Sequence, residues 1–286
     1  MGGGVDSHEL DGNLMRTKVW TRILGLLLLG GFVTGIAKAQ DSIYSASGDV
    51  AVVSSQVFRG QRYSDDPNLQ TSMTLGIEGF AFNAWGNMDL TSFNDFNAGD
   101  PRAGKKGGLK GHFTIISYTF SYDYSFEAVS VGTGATIATS PERYATTTEI
   151  YGALSFDSVP LAPNVTLYID VDESRAGGGD AGVYFLFGAG HSFPIDNDVV
   201  SSFDVSASLG LANGGFTKFY YIGLDKAGLH DGSLTASLPF NINDNWSLGA
   251  WLTVSGLIGD EIRAQQYTGA DDGTTVWGGF SLSLSF

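Results

Sequence analysis

The segment Thr274–Phe286, TTVWGGFSLSLSF, decides how the rest of the chain reads. From Val276 the even positions are Val276, Gly278, Phe280, Leu282, Leu284 and Phe286, and the odd ones are Trp277, Gly279, Ser281, Ser283 and Ser285. A period of two places these sets on opposite faces of one strand. The polar face carries small uncharged side chains where a soluble sheet usually carries Lys, Glu and Thr. A strand of about 9–11 residues, apolar toward lipid and polar toward a lumen, spans a membrane as part of a barrel.

The same rhythm recurs upstream. A first strand is predicted from Asp49 to Arg59, followed by a polar connection over Gly60–Pro67. Leu69–Ile77 and the strand after the Glu78-Gly79 hairpin turn then alternate cleanly, with Leu75, Ile77, Phe80 and Phe82 outward. Further strands present Tyr118 and Phe120, Val131 and Ile137, Ile150 and Leu154, and Leu167 and Ile169 to the same side. Phe185 and Phe187, Phe203 and Leu209, Leu234 and Leu238, and Leu248 and Leu252 continue the series. Short turns are expected at residues 123–126 and 243–245, and longer connections at 139–146 and 212–231, where Phe219–Leu224 reads as a strand extension. The count is twelve strands with short and long connections alternating, as in a barrel with short periplasmic turns and long outer loops. Aromatic residues (Phe80, Tyr122, Phe156, Phe193, Phe240, Trp246, Phe286) collect at the short-turn ends, as in an interfacial girdle. The expected fold is therefore an all-β, transmembrane, antiparallel up-and-down β-barrel, with a secreted Greek-key sandwich as the rival.

Composition agrees. Forty glycines and 13% aromatics suit a turn-rich β-protein with an apolar outer surface, and the absence of cysteine excludes disulfides and thiolate chemistry. The N-terminus has its own character. Arg16, Lys18 and Arg22 precede the apolar Ile23–Ala37, and Ala37-Lys38-Ala39 supplies an A-x-A site before Gln40. That three-part pattern predicts a cleaved secretory signal over residues 1–39, with Met15 an alternative start, an uncleaved anchor the lesser reading, and the barrel domain over 40–286. The mature chain would carry 11 basic against 27 acidic residues, which disfavours nucleic acid and favours cations.

Lumen-facing candidates follow from strand parity: Glu78, Asp89, Glu149, Asp157, Asp170 and Asp204, with Arg59 as the basic counterpart. Acidic rings bias a pore toward cations. A lone base inside a barrel needs an acidic partner. Asp65 and Asp66 lie near Arg59 in sequence, without establishing the pairing. The outer-loop acids Asp172, Glu173, Asp180, Asp271 and Asp272 show no fixed ligand spacing, so no metal and no cofactor is expected. His191-Ser192 are neighbours on opposite strand faces and make no nucleophile–base pair. His230-Asp231 is the one pair suited to activating water, a weak basis for a hydrolase or acyltransferase.

Two resemblances bear on this reading. The terminal strand ending on Phe286 resembles the C-terminal strand of bacterial outer-membrane proteins, which implies recognition by the barrel-assembly machinery. Val57-Phe58-Arg59-Gly60, Asp65-Asp66-Pro67, Leu69-Gln70 and Trp85-Gly86-Asn87 resemble the N-terminal signature of the TorF-type porin family of proteobacteria, formerly a family of unknown function. The likeness is concentrated over Ser54–Asp89, and Gln61-Arg62-Tyr63 departs from the Ser/Gln-rich stretch more usual there. It implies a porin-like barrel in the outer membrane of a Gram-negative bacterium, in contact with lipid and lipopolysaccharide, and brings no catalytic residues. The expected function is passive diffusion of small hydrophilic solutes, cation-preferring where the lumen is open. A closed structural or adhesive barrel with ligand-binding outer loops is the alternative.

Overall fold

A computed structural model describes residues 43–92, 110–141, 144–172, 180–221, 224–265 and 273–286. The predicted signal segment, the Met15 start, Glu173, Asp271 and Asp272 lie outside them. The strands are β1 (Tyr44–Val53), β2 (Gln56–Phe58), β3 (Gln61–Ser64), β4 (Asn68–Ile77), β5 (Phe80–Asp89), β6 (Phe113–Phe126) and β7 (Val129–Ser140). They continue with β8 (Tyr144–Ser155), β9 (Asn164–Asp170), β10 (Gly182–Pro194), β11 (Ser202–Ala212), β12 (Gly228–Asn241), β13 (Trp246–Leu257) and β14 (Thr274–Ser285). Two short helices, α1 (Gly214–Tyr220) and α2 (Asp260–Arg263), stand in the connections before β12 and β14.

Twelve strands, β1 and β4 to β14, close into one antiparallel barrel in sequence order, while β2 and β3 form a separate two-stranded sheet. Closure joins β1 to β14 with Ser47 opposite Ser285 and Val53 opposite Gly279. Phe286 completes the seam, donating its N–H to Ala46 O at 2.9 Å and accepting from Ala46 N at 3.3 Å. The alternation predicted for Thr274–Phe286 is realised: Phe280 is 74% exposed on the outer face, whereas Trp277, Ser281 and Ser283 are buried inside. Val50, Leu75, Phe120, Ile150, Phe187, Leu234 and Leu252 extend this apolar outer belt around the wall. Inside, hydroxyl ladders bridge neighbouring strands, as in Thr119–Thr136 at 2.9 Å and Thr235–Thr253 at 2.8 Å. Cross-strand aromatic pairs such as Phe80–Tyr122, with centroids 4.5 Å apart, reinforce the outer face near the short turns.

Several expected boundaries move, each for a local reason. Glu78-Gly79 is the two-residue turn expected, with both residues at positive φ (47° and 86°) as a type I′ hairpin requires. The next turn falls at residues 127–128 rather than 123–126, because β6 and β7 stay paired out to Phe126 opposite Val129. Likewise β7 and β8 pair until Ser140 faces Tyr144, so the connection expected over 139–146 shrinks to residues 141–143, the one short link at the long-connection end. Among the described residues of the predicted Phe219–Leu224 extension, Phe219 and Tyr220 are helical and none is in a strand. Asn213 caps α1 instead, its Oδ1 accepting from Phe216 N at 2.8 Å, and places Phe216 and Tyr220 one helical turn apart on one face.

The largest correction concerns the first strand. It begins at Tyr44 rather than Asp49 and leaves the wall after Val53, not at Arg59. Residues 54–67 fold into the barrel as the β2–β3 hairpin, all of whose β2 residues are buried. Arg59 and Gly60 are its two-residue loop, at φ 48° and 75°.

Candidate functional site

The hairpin and α1 meet across the lumen. At the hairpin base, Asn87 of β5 donates its Nδ2 to Gln56 Oε1 (3.1 Å), Asn68 Oδ1 (3.0 Å) and Thr114 Oγ1 (2.9 Å), and accepts from Gln70 Nε2 at 3.2 Å. This buried amide cluster ties β2 to three wall strands. At the tip, Gly60 lies so near β12 and β13 that a Cβ there would stand 2.6 Å from Asp231 Cβ and 3.0 Å from Leu257 Cδ2. Only glycine satisfies both the positive φ and that approach.

Arg59 spans to the far wall. Its Nη1 and Nη2 donate to Glu149 Oε1 and Oε2 of β8 at 2.8 and 2.9 Å, a fork-to-fork pair whose side chains are 6% and 8% exposed. Four rings surround the guanidinium carbon: Tyr184 at 4.3 Å, Phe58 at 4.6 Å, Tyr168 at 4.7 Å and Phe216 at 5.2 Å from their centroids. Such contacts favour a desolvated cation. Burial opposes the charge on Arg59; the Glu149 carboxylate counters it through both its charge and its hydrogen bonds, and the net direction is upward, so the guanidinium stays protonated. Burial also pushes the Tyr220 and Tyr221 phenols far above their usual range, so both stay neutral.

The cage rests on a second layer. Tyr184 OH donates to Asp231 Oδ1 at 2.8 Å, and His230 Nδ1 shares the same oxygen at 2.7 Å. Consecutive residues both point inward because β12 carries a bulge here: Gly210 pairs with Asp231 and Leu211 with Leu229, leaving His230 between them. His230 packs edge-on against Phe216 and Tyr184, and its Nε2 has no hydrogen-bond partner among the described residues. Among the described residues no hydroxyl is therefore aligned with it as a nucleophile would be.

The acidic residues read from parity do not form one ring. Glu149 and Asp170 are cross-strand neighbours on β8 and β9, toward the long-connection end. Asp170 accepts from Thr147 Oγ1 at 2.7 Å and from Asp172 N at 3.0 Å. Asp89 is fully buried opposite Asn68, beside the hairpin base. Asp204, on β11, sits half-buried in the short-turn half of the wall. Asp157 lies just beyond β8, accepting from Ser130 Oγ at 3.0 Å and Ser155 Oγ at 3.2 Å. Glu78 is exposed in the first hairpin turn, beyond the strand ends, rather than on a strand face. Asp65 pairs with Arg62 at 2.8 Å rather than with Arg59. Parity missed Asp231 and also Asp49, which accepts from Ser283 Oγ at 2.7 Å. Asp49 lines a cavity at the short-turn mouth with Ser72, Asn243 and Asn245. No group of three or more His, Asp or Glu suited to a metal occurs among the described residues.

No family model matches the chain, and no curated protein does. Among solved structures, the NanC porin shares 11% identity over 85% of this chain and 98% of its own, with a TM-score of 0.46. An outer-membrane channel from Pseudomonas putida F1 shares 9% over 90% and 100%, also with a TM-score of 0.46. Outer-membrane phospholipase A from Escherichia coli shares 11% over 84% and 89%, with a TM-score of 0.39. Likeness at this level, spread over channels and an enzyme alike, transfers none of their activities to this chain.

Proposed function

We propose that the chain is a porin-like outer-membrane channel for small hydrophilic solutes, cation-preferring, whose lumen is crossed by the β2–β3 hairpin. One observation carries the reading: the wall is closed, greasy outside and hydroxyl-rich inside. A closed sheet is the only β-structure whose backbone groups are all satisfied in hydrocarbon, and an outer belt rich in Phe, Leu and Val belongs against acyl chains. The TorF-type resemblance supports the same assignment, since its quoted residues build the hairpin and its Asn87 anchor. Export by the N-terminal signal and assembly through the strand ending on Phe286 complete the proposed route.

The buried crossbar favours one competing reading, a closed structural barrel whose outer loops bind partners. Planar-bilayer recordings separate the two. Ohmic, cation-selective steps support the channel; silence from a correctly folded barrel, even with the hairpin released, supports the structural reading. Asp49 and Asp204 then supply a second test. Asp49→Asn with Asp204→Asn weakens cation preference where these carboxylates face the permeant ion, and unchanged reversal potentials remove them from the pathway.

A further inference from the structure

The seat that holds Arg59 has the chemistry of a ligand site, and most of it does not belong to the hairpin. Glu149 comes from β8, Tyr168 from β9, Tyr184 from β10 and Phe216 from α1; only Phe58 travels with Arg59. These wall groups hold one another independently of their occupant. Tyr184 stacks on Phe216 at 5.3 Å and lies 6.2 Å from Tyr168, while its hydroxyl is fixed by Asp231. The capped start of α1 locks Phe216, because Asn213 also binds Val183 N and Ala181 O of the wall at 2.8 Å each. The occupant is less firmly built. The hairpin is a separate two-stranded sheet that pairs with no wall strand, and its loop places Arg59, an L-residue, at φ 48°. Isolated two-stranded hairpins are marginal in water.

We propose that Glu149, Tyr168, Tyr184 and Phe216 form a binding site for guanidinium-bearing solutes, which Arg59 fills as an internal competitor until such a solute displaces the hairpin. This deepens the channel reading and rests on it, making the crossbar a solute-responsive closure. The chemistry selects the ligand class. A planar guanidinium satisfies both Glu149 oxygens in parallel and presents flat faces to the rings, whereas a primary ammonium is a compact, strongly hydrated point charge that does neither well. A tethered competitor acts at an effective concentration on the order of millimolar, so an external solute must reach roughly that level to share the seat. Its apparent affinity is reduced by the fraction of barrels with the hairpin out.

The test uses the full chain folded in detergent micelles, with methylguanidinium as probe and methylammonium as control. In unmodified protein, about 10 mM methylguanidinium accelerates amide exchange of residues 56–64 at least several-fold while the wall strands stay protected, and methylammonium does not. Calorimetry on Arg59→Ala, checked for retained barrel folding by heat-modifiable mobility, finds methylguanidinium bound at least tenfold more tightly than methylammonium. Adding Glu149→Gln to Arg59→Ala abolishes that difference. Equal binding of the two probes, or binding indifferent to Glu149, overturns the proposal. So does hairpin exchange that ignores methylguanidinium, a result that needs no variant. None of these readouts uses a current. A conducting barrel with no guanidinium preference would refute the site alone, and a binding barrel that never conducts would refute the channel alone.

Discussion

Glu149→Gln removes one charge from the lumen with almost no change of shape, and the consequences can be worked from the geometry. The amide reaches the same space but leaves Arg59 as an uncompensated buried cation, and breaking such a pair costs about 3–5 kcal/mol. What remains to hold the hairpin is the burial of Val57 and Phe58, its polar base and the rings. The Gln56–Asn87 contact at its base contributes about 1 kcal/mol, and the ring contacts persist, but the left-handed Arg59 costs about 1–2 kcal/mol. At 1.4 kcal/mol per decade, a loss of about 4 kcal/mol shifts the seated-to-released ratio roughly a thousandfold. The wall is untouched by the substitution, because β8 pairs with β7 and β9 through its backbone. The variant therefore remains a folded barrel with a mobile hairpin. Single-channel recordings would show a sharp rise in open time, and trypsin would cut after Arg59 and Arg62, which the seated hairpin shields. Unchanged currents and unchanged cleavage in a folded Glu149→Gln barrel would refute the idea that this pair latches the hairpin.

Three further outcomes follow from the same structure. Arg59→Met combined with Glu149→Leu removes both charges together, so it should perturb hairpin exchange less than either single change; simple additivity in a double-mutant cycle would deny the coupling. Gly60→Ala forces a Cβ to within 2.6 Å of Asp231 Cβ at φ 75°, costing about 1–2 kcal/mol from the backbone alone. Hairpin exchange should rise about tenfold or more with the barrel melting temperature unchanged. Leu252→Arg puts a charge on the outer face midway along β13, where Leu252 is 57% exposed and its neighbour Thr253 only 3%. It should cost about 2–4 kcal/mol of folding free energy in lipid vesicles, whereas Thr253→Ser costs little; equal tolerance would mean that Leu252 does not face lipid.

The wall was legible because each of its strands repeats one period against one environment. Val276 to Phe286 shows the rule, and every strand that obeys it falls where expected, with ends displaced by a few residues where pairing runs on, as at Phe126 and Ser140. What crosses the lumen was not legible, for three separate reasons. Type I′ loops are usually announced by Asn-Gly, and Arg59-Gly60 lacks that signature, so the sequence reads as one strand straight through it. Arg59 finds its partner 90 residues away, a separation that no local pattern encodes. The His230 bulge defeats parity itself, since one extra residue turns two neighbours to the same face. One lumen element does carry a local signal. Asn213 followed by Phe216, Phe219 and Tyr220 has the spacing of a capped helix with an aromatic face.

The most direct test is the conductance of a barrel lacking the crossbar. Replacing residues 55–65 with a short Gly-Ser linker leaves all twelve wall strands intact and removes Arg59 from its seat. In planar bilayers the unmodified protein should pass small or infrequent currents, and the shortened one steady, ohmic, cation-selective steps. A folded, membrane-inserted deletion that conducts no better than the unmodified protein would contradict the account.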